Sequence, residues 1–185
     1  LYTTNRSNIV EAINELDNEA ENNTTELLSK ITEQNNSLIM LIQMLANTGI
    51  NIVPLLEMLG NTITVISDTV TQMYQYSDNN NPDNKLKGIV YAPNLETVES
   101  RSIDDNSGMT TIIMPKVKTI KSQGFWASYG LKTVFIPNTC TSLATNAFSV
   151  CGNLTNIYID NIAGTFGDIA ADSSLPNLRV TYLKK

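Results

Sequence analysis

Between residues 86 and 182 the chain repeats one phrase at a nearly fixed spacing. Its clearest copy is residues 131–154, LKTVFIPNTCTSLATNAFSVCGNL, in which Leu131, Val134, Ile136 and Pro137 are followed by Leu143, Phe148 and Cys151. Leu154 opens another copy, with Ile157, Ile159 and Asp160 where Val134, Ile136 and Pro137 stood. One period before the clearest copy stand Met109, Ile112, Met114 and Pro115, and Ile120 and Phe125 follow them. Leu86, Ile89, Tyr91 and Pro93 come earlier still, and the phrase returns in weaker form at Leu178, Val180 and Tyr182. Pro93, Pro115 and Pro137 are evenly spaced. A recurring period of this kind means a solenoid, because one unit cannot bury its apolar face alone and must lay it on its neighbours.

Within a repeat, the β-branched run around Val134 and Ile136 predicts a short strand. Pro137 ends it, since proline gives no N–H to a ladder. Leu143 and Phe148 then turn inward along a turn-rich return path. This predicts about five short strands, centred near residues 90, 113, 135, 158 and 181, stacked into one narrow parallel sheet, with Ile120, Phe125, Leu143 and Phe148 in the core.

The phrase Leu131-x-x-Val134-x-Ile136-Pro137, continued by Ala147-Phe148-x-x-Cys151-x-x-Leu154, resembles the BspA-like leucine-rich repeat. That family is common in bacterial surface proteins and in phage-encoded ones. The resemblance implies a binding scaffold without catalytic residues, so it carries over no site.

Histidine is absent, which removes the commonest general base and nitrogen metal ligand. Cys140 and Cys151 occupy repeat positions that other units fill with apolar residues, and are expected as buried free thiols. Asp104 with Asp105, and Asp168 with Asp172, are acid pairs in turn-rich surroundings and are expected to be solvated. Neither a catalytic residue, a cofactor site nor a metal site is expected. Residues 1–85 hold 11 acids and three bases, whereas residues 86–185 hold seven acids and nine bases. The acidic half argues against nucleic acid as a partner, and Lys116, Lys118, Lys121 and Lys132 read as a solvated face. No apolar run is long enough to cross a bilayer, so no membrane insertion is expected.

The first half reads as helix. Asn8 and Glu11 fit a capping box, and Ile9, Ile13, Leu16 and Ala20 follow at steps of four, three and four. Asn22-Asn23-Thr24-Thr25 interrupts or restarts the helix, and the stripe resumes through Leu27, Ile31, Leu38, Leu41 and Leu45. Residues 38–45 are apolar nearly all round, so this stretch must be surrounded by protein. Gly49 suits the end of that helix, and Pro54 the start of a second running to about Gln75. The second seam is Leu55, Leu59, Ile63, Ile66, Val70 and Met73. The polar segment 77–85, SDNNNPDNK, marks a boundary.

The N-terminal stretch Leu1–Leu16, with Ile9-Val10-Glu11-Ala12-Ile13-Asn14-Glu15-Leu16 after a threonine-bearing lead, also resembles a segment of tailed-phage fibre proteins. The expected architecture is α followed by β-rich solenoid: a trimeric coiled-coil-like stalk (1–76), a linker (77–85) and a leucine-rich-repeat head (86–185). The oligomerisation residues would be Ile13, Leu16, Leu38, Leu41, Leu45, Leu55, Leu59, Ile63, Ile66, Val70 and Met73. Isoleucine at both core positions disfavours dimers, and the trimer follows from the fibre resemblance. The expected function is a phage tail or head fibre on the virion exterior, joined to other virion proteins through its N-terminal part. Its head would bind a host surface glycan or protein. The alternative is a bacterial cell-surface adhesin.

Overall fold

The computed structural model describes residues 2–58, 62–73, 86–163, 165–169 and 174–184. It divides into two compact units, residues 1–39 and residues 40–185. The first is a helical arm. The second holds the end of that helix and a β-solenoid.

Helix α1 runs without a break from Tyr2 to Ala46, a length of about 68 Å at 1.5 Å per residue. Asn8 therefore lies inside the helix and does not cap it. The Asn22–Thr25 patch does not interrupt it either. Thr24 and Thr25 donate their hydroxyls back to the carbonyls of Ala20 (2.8 Å) and Glu21 (2.9 Å), which keeps both compatible with a helical backbone. Lys30 and Glu26 add an ion pair one turn apart at 2.6 Å. Gly49 ends the helix at φ +81°, a conformation that costs glycine nothing, and its N–H reaches the Ala46 carbonyl.

The second helix is far shorter than its seam predicted. α2 covers only Val53–Glu57, with Pro54 in its first turn. Ile63–Val65 is then strand β1 and Gln72–Met73 strand β2. Ile63, Ile66, Val70 and Met73 thus belong to the solenoid and not to a helical stalk; Leu59 lies outside the described residues. The β-branched run Thr62-Ile63-Thr64-Val65-Ile66 suits a strand, and pairing with the next coil outweighs the helical spacing. The solenoid accordingly begins before the 77–85 segment, which lies outside the described residues.

The remaining strands are β3 (Gly88–Tyr91), β4 (Thr97–Val98), β5 (Met109–Ile113), β6 (Thr119–Ile120), β7 (Thr133–Ile136), β8 (Ser142–Leu143), β9 (Asn156–Ile162) and β10 (Arg179–Lys184). They form two parallel sheets, ordered β1-β3-β5-β7-β9-β10 and β2-β4-β6-β8. Chain order is preserved in both, so each coil pairs only with its neighbours. The five strands expected near residues 90, 113, 135, 158 and 181 are β3, β5, β7, β9 and β10.

Registered columns fill the interior. Val90, Ile112, Val134 and Ile157 stand side by side in the larger sheet. Met73, Val98, Ile120 and Leu143 do so in the smaller one. All eight are buried in one apolar cluster that includes Phe125 and Phe148, whose rings stack with centroids 5.1 Å apart.

A third side is stitched by backbone bonds between turns. Arg101, Ile103 and Asp105 donate to the carbonyls of Gln123, Gly124 and Trp126, and Phe125 and Ala127 donate to Ala147 and Ser149 one coil on. The corners recur with the coils: Arg101 and Gln123 have φ of 54° and 58°, and Asp105, Ala127 and Val150 have φ of 53°, 54° and 65°. Non-glycine residues hold this left-handed conformation only where the surroundings fix it.

Candidate functional surfaces

In a solenoid the chemistry sits on surfaces that successive coils repeat. On the turn side, buried donors staple one coil to the one before. Ser128 donates its hydroxyl to the Ile103 carbonyl at 2.8 Å, and Cys151, one period later, donates its thiol to the Phe125 carbonyl at 2.9 Å. Cys151 therefore stands in for a buried hydroxyl. Cys140 is likewise a free, buried thiol, and burial pushes its pKa up to about 11, so it holds its proton. No disulfide joins the two.

The lysine set also ties coils together. Lys118 pairs with Glu96 at 2.9 Å, Lys121 with Glu99 at 2.6 Å, and Lys116 donates to the Asn94 side-chain oxygen at 2.6 Å. Each bond joins one coil to the next, and the two ion pairs neutralise Lys118 and Lys121 locally. Among the described residues no cluster of acids and cysteines is arranged to hold a metal ion, and no helix is long and apolar enough to cross a membrane. Asp172 lies outside the described residues.

Six strands in one sheet, in chain order and with registered apolar columns, are the geometry of a leucine-rich repeat. A profile of the BspA type leucine-rich repeat region matches residues 60–179 in six copies. This chain belongs to the BspA-type leucine-rich repeat family. The matched span opens just before β1, in agreement with a first coil that starts there. No curated protein and no solved structure matches the chain.

The outward face of the BspA-type sheet is where a repeat scaffold would offer a broad surface to a partner. Side chains alternate across a strand, so Ile89, Tyr91, Thr111, Ile113, Thr133 and Phe135 face away from the interior columns. All six are nevertheless buried; Tyr91, the most accessible, keeps 8 % of its surface, and burial raises its pKa. Among the described residues, and besides Ala127 on the turn side, the other buried apolar residues outside the interior cluster are Ile42, Ala46, Ile52 and Leu56. These four lie in segment 40–57, which belongs to the same compact unit as the sheet. Leu55, next to the buried Leu56 on α2, is half-buried. On the following strands the face opens: Tyr158 and Thr181 are half-buried and Arg179 is exposed.

Segment 40–57 contains an anomaly that composition could not reveal. Gln43 is 0 % exposed, and neither its amide nitrogen nor its amide oxygen has a hydrogen-bond partner. The polar side chains on the covered face, Thr111 and Thr133, are buried too, yet neither bonds to it.

On the turn side of the same repeats, the Arg101 guanidinium lies over the Trp126 ring at 4.6 Å and donates through Nε to the Gln123 Oε1 at 3.0 Å. Sequence reading singled out neither residue; only the repeat register brings position 101 beside position 123.

Helix α1 presents the other surface. Leu16, Leu27 and Ile31 are 65 %, 61 % and 46 % exposed, and Leu38, Leu41 and Met44 are exposed as well. Leu45 is half-buried, while the side chain of Ile13 lies outside those described. The expectation that residues 38–45 are surrounded by protein holds on one side only, where Ile42 and Gln43 are buried within this chain.

Proposed function

We propose that this protein is a surface-displayed binding scaffold of the adhesin kind, non-catalytic, with a helical arm through which copies of the chain associate. The family carries the reading: six BspA-type repeats build a ladder in which buried donors such as Ser128 and Cys151 tie one coil to the next. The arm supports self-association, because an apolar stripe running from Leu16 to Met44 along one helix is more than a single copy covers.

A trimer is the expected assembly. Native mass spectrometry of the full chain should give three copies at micromolar concentration, and Leu27→Glu with Ile31→Glu should give one. A monomeric parent with its helix intact by circular dichroism would sink this part of the reading. For the binding role, the labelled chain is to be passed over immobilised bacterial surface proteins and glycans. Saturable retention without turnover is expected, and turnover of the bound material would replace the scaffold reading with an enzymatic one.

A virion fibre is the second reading. Two observations favour it: the Ile9–Leu16 segment and the uninterrupted 45-residue helix that contains it. The family match begins at residue 60 and does not bear on that segment. In this reading the arm joins other virion proteins and the repeats face the host surface.

A further inference from the structure

We propose that segment 40–57 is a detachable, built-in occupant of the repeat sheet's binding face, and that the partner replacing it is an amphipathic helix. The inference rests on the binding-scaffold reading for its purpose, but the opening of the cover stands on its own observations. Ile89, Tyr91, Ile113 and Phe135 form an apolar outward face on three adjacent strands, sealed from water. A sheet face of this kind takes a helix laid across it. The residues to fill it are buried in segment 40–57: Ile42 and Ala46, one turn apart on α1, with Ile52 and Leu56 supplied by α2 and the residue before it.

This occupant is a poor ligand by construction. Gln43 enters the same buried side as Ile42 and Ala46, and both of its amide atoms lose water without gaining a partner. Each unmade bond penalises closure, whereas an apolar side chain of similar size at that position would not. Ser102, Asp104 and Asn106 each leave one buried atom unpaired on the turn side, but among the described residues only Gln43 leaves two on one side chain, and such a group marks a site where function overrides packing. The cover is also short. Gly49 at φ +81° turns the chain between its two helical pieces, and Leu41, Met44, Ile50 and Met58 leave apolar surface in water even when it is closed. A partner helix with apolar residues at i and i+4, and a third in place of the glutamine, would bury the same face without that penalty.

Two measurements on the full chain decide it. In native-state hydrogen exchange, the amides of residues 42–46 and 56–58 should open at least about 100-fold more often than those of β5 and β7, as a separate cooperative unit. Gln43→Leu should close that gap by about tenfold or more, since two unsatisfied groups are removed. Exchange of the cover together with β5 and β7, unchanged by Gln43→Leu, would make it ordinary core and overturn the proposal. The second probe is a synthetic peptide of residues 38–57 carrying Gln43→Leu, followed by fluorescence anisotropy. It should bind the full chain saturably, and at least about tenfold more tightly when Ile42→Asp and Leu56→Asp have loosened the resident cover. Absence of binding to the parent and to a loosened chain that keeps its β-sheet circular dichroism would refute the helix as the replacing partner. Exchange results would then still report separately on the cover.

Discussion

The inter-coil staple at Cys151 makes a quantitative prediction. Its thiol donates to the Phe125 carbonyl at 2.9 Å in a fully buried site, as the Ser128 hydroxyl donates to Ile103 at 2.8 Å one coil earlier. Cys151→Ser keeps the donor and strengthens it, since a hydroxyl is a better donor than a thiol, but its smaller oxygen leaves a slight void. These effects oppose each other, and the variant should lie within about 1 kcal/mol of the parent. Cys151→Ala removes this donor, while the Phe125 carbonyl keeps the Ser128 N–H at 3.2 Å; the loss is one hydrogen bond, about 0.5–1.5 kcal/mol, and the lost sulfur volume adds about 1 kcal/mol. For a chain of this size each kcal/mol moves the melting temperature by about 2–4 °C, so alanine should melt roughly 4–10 °C lower and serine within about 3 °C. Urea and thermal unfolding, followed by far-ultraviolet circular dichroism, read both. Serine as damaging as alanine would show that the site values sulfur's bulk and not its proton.

Other expectations follow from the same geometry. Phe148→Ala empties a fully buried site and removes the 5.1 Å stack on Phe125, and should cost about 3–5 kcal/mol in urea unfolding. Gly130→Ala places a Cβ 2.7 Å from the Met109 carbonyl oxygen of the preceding coil and against that of Ser107, so it should destabilise by more than about 1 kcal/mol on thermal melting. Cys140 has its folded pKa raised to about 11, above the ordinary thiol value, so its contribution is fully present below about pH 8.5 and is lost as pH rises through 11. Cys140→Val should therefore flatten the alkaline loss of stability by up to about 3 kcal/mol in unfolding titrations between those limits.

Most of the solenoid is legible in the sequence because its constraints are local. A β-branched run ended by proline marks a strand, and a constant period fixes which residues stand side by side, as Val134 does with Ile112. The first coil is hidden because it breaks that period: Ile63 pairs with Ile89, a longer step along the chain than the one from Ile112 to Val134. Within it Ile63, Ile66, Val70 and Met73 fall at steps of three, four and three, which fit a helix seam as well as a coil. The cover on the outward face is illegible for a different reason. Residues 38–45 are apolar nearly all round, so periodicity cannot say which side is buried, and the buried outward face is built from strands far along the chain. A glutamine in such a run reads as its one wetted position; burial places it on the opposite side.

The register between coils bears on how this gene can change. Thr111 pairs with Thr133, and Thr119 with Ser142, each one coil on, and the bonds from one coil go only to the coils on either side. Excising or duplicating one such period in frame would leave every surviving strand a neighbour of the kind it already has. Unequal recombination between copies is therefore a mild event for this architecture, where in most folds it would be ruinous. The length of the ladder is then free to drift between related chains, while the cover remains tied to the three strands it lies across. Copy number can vary at the far end of the repeat array without disturbing the sheet face at the near end.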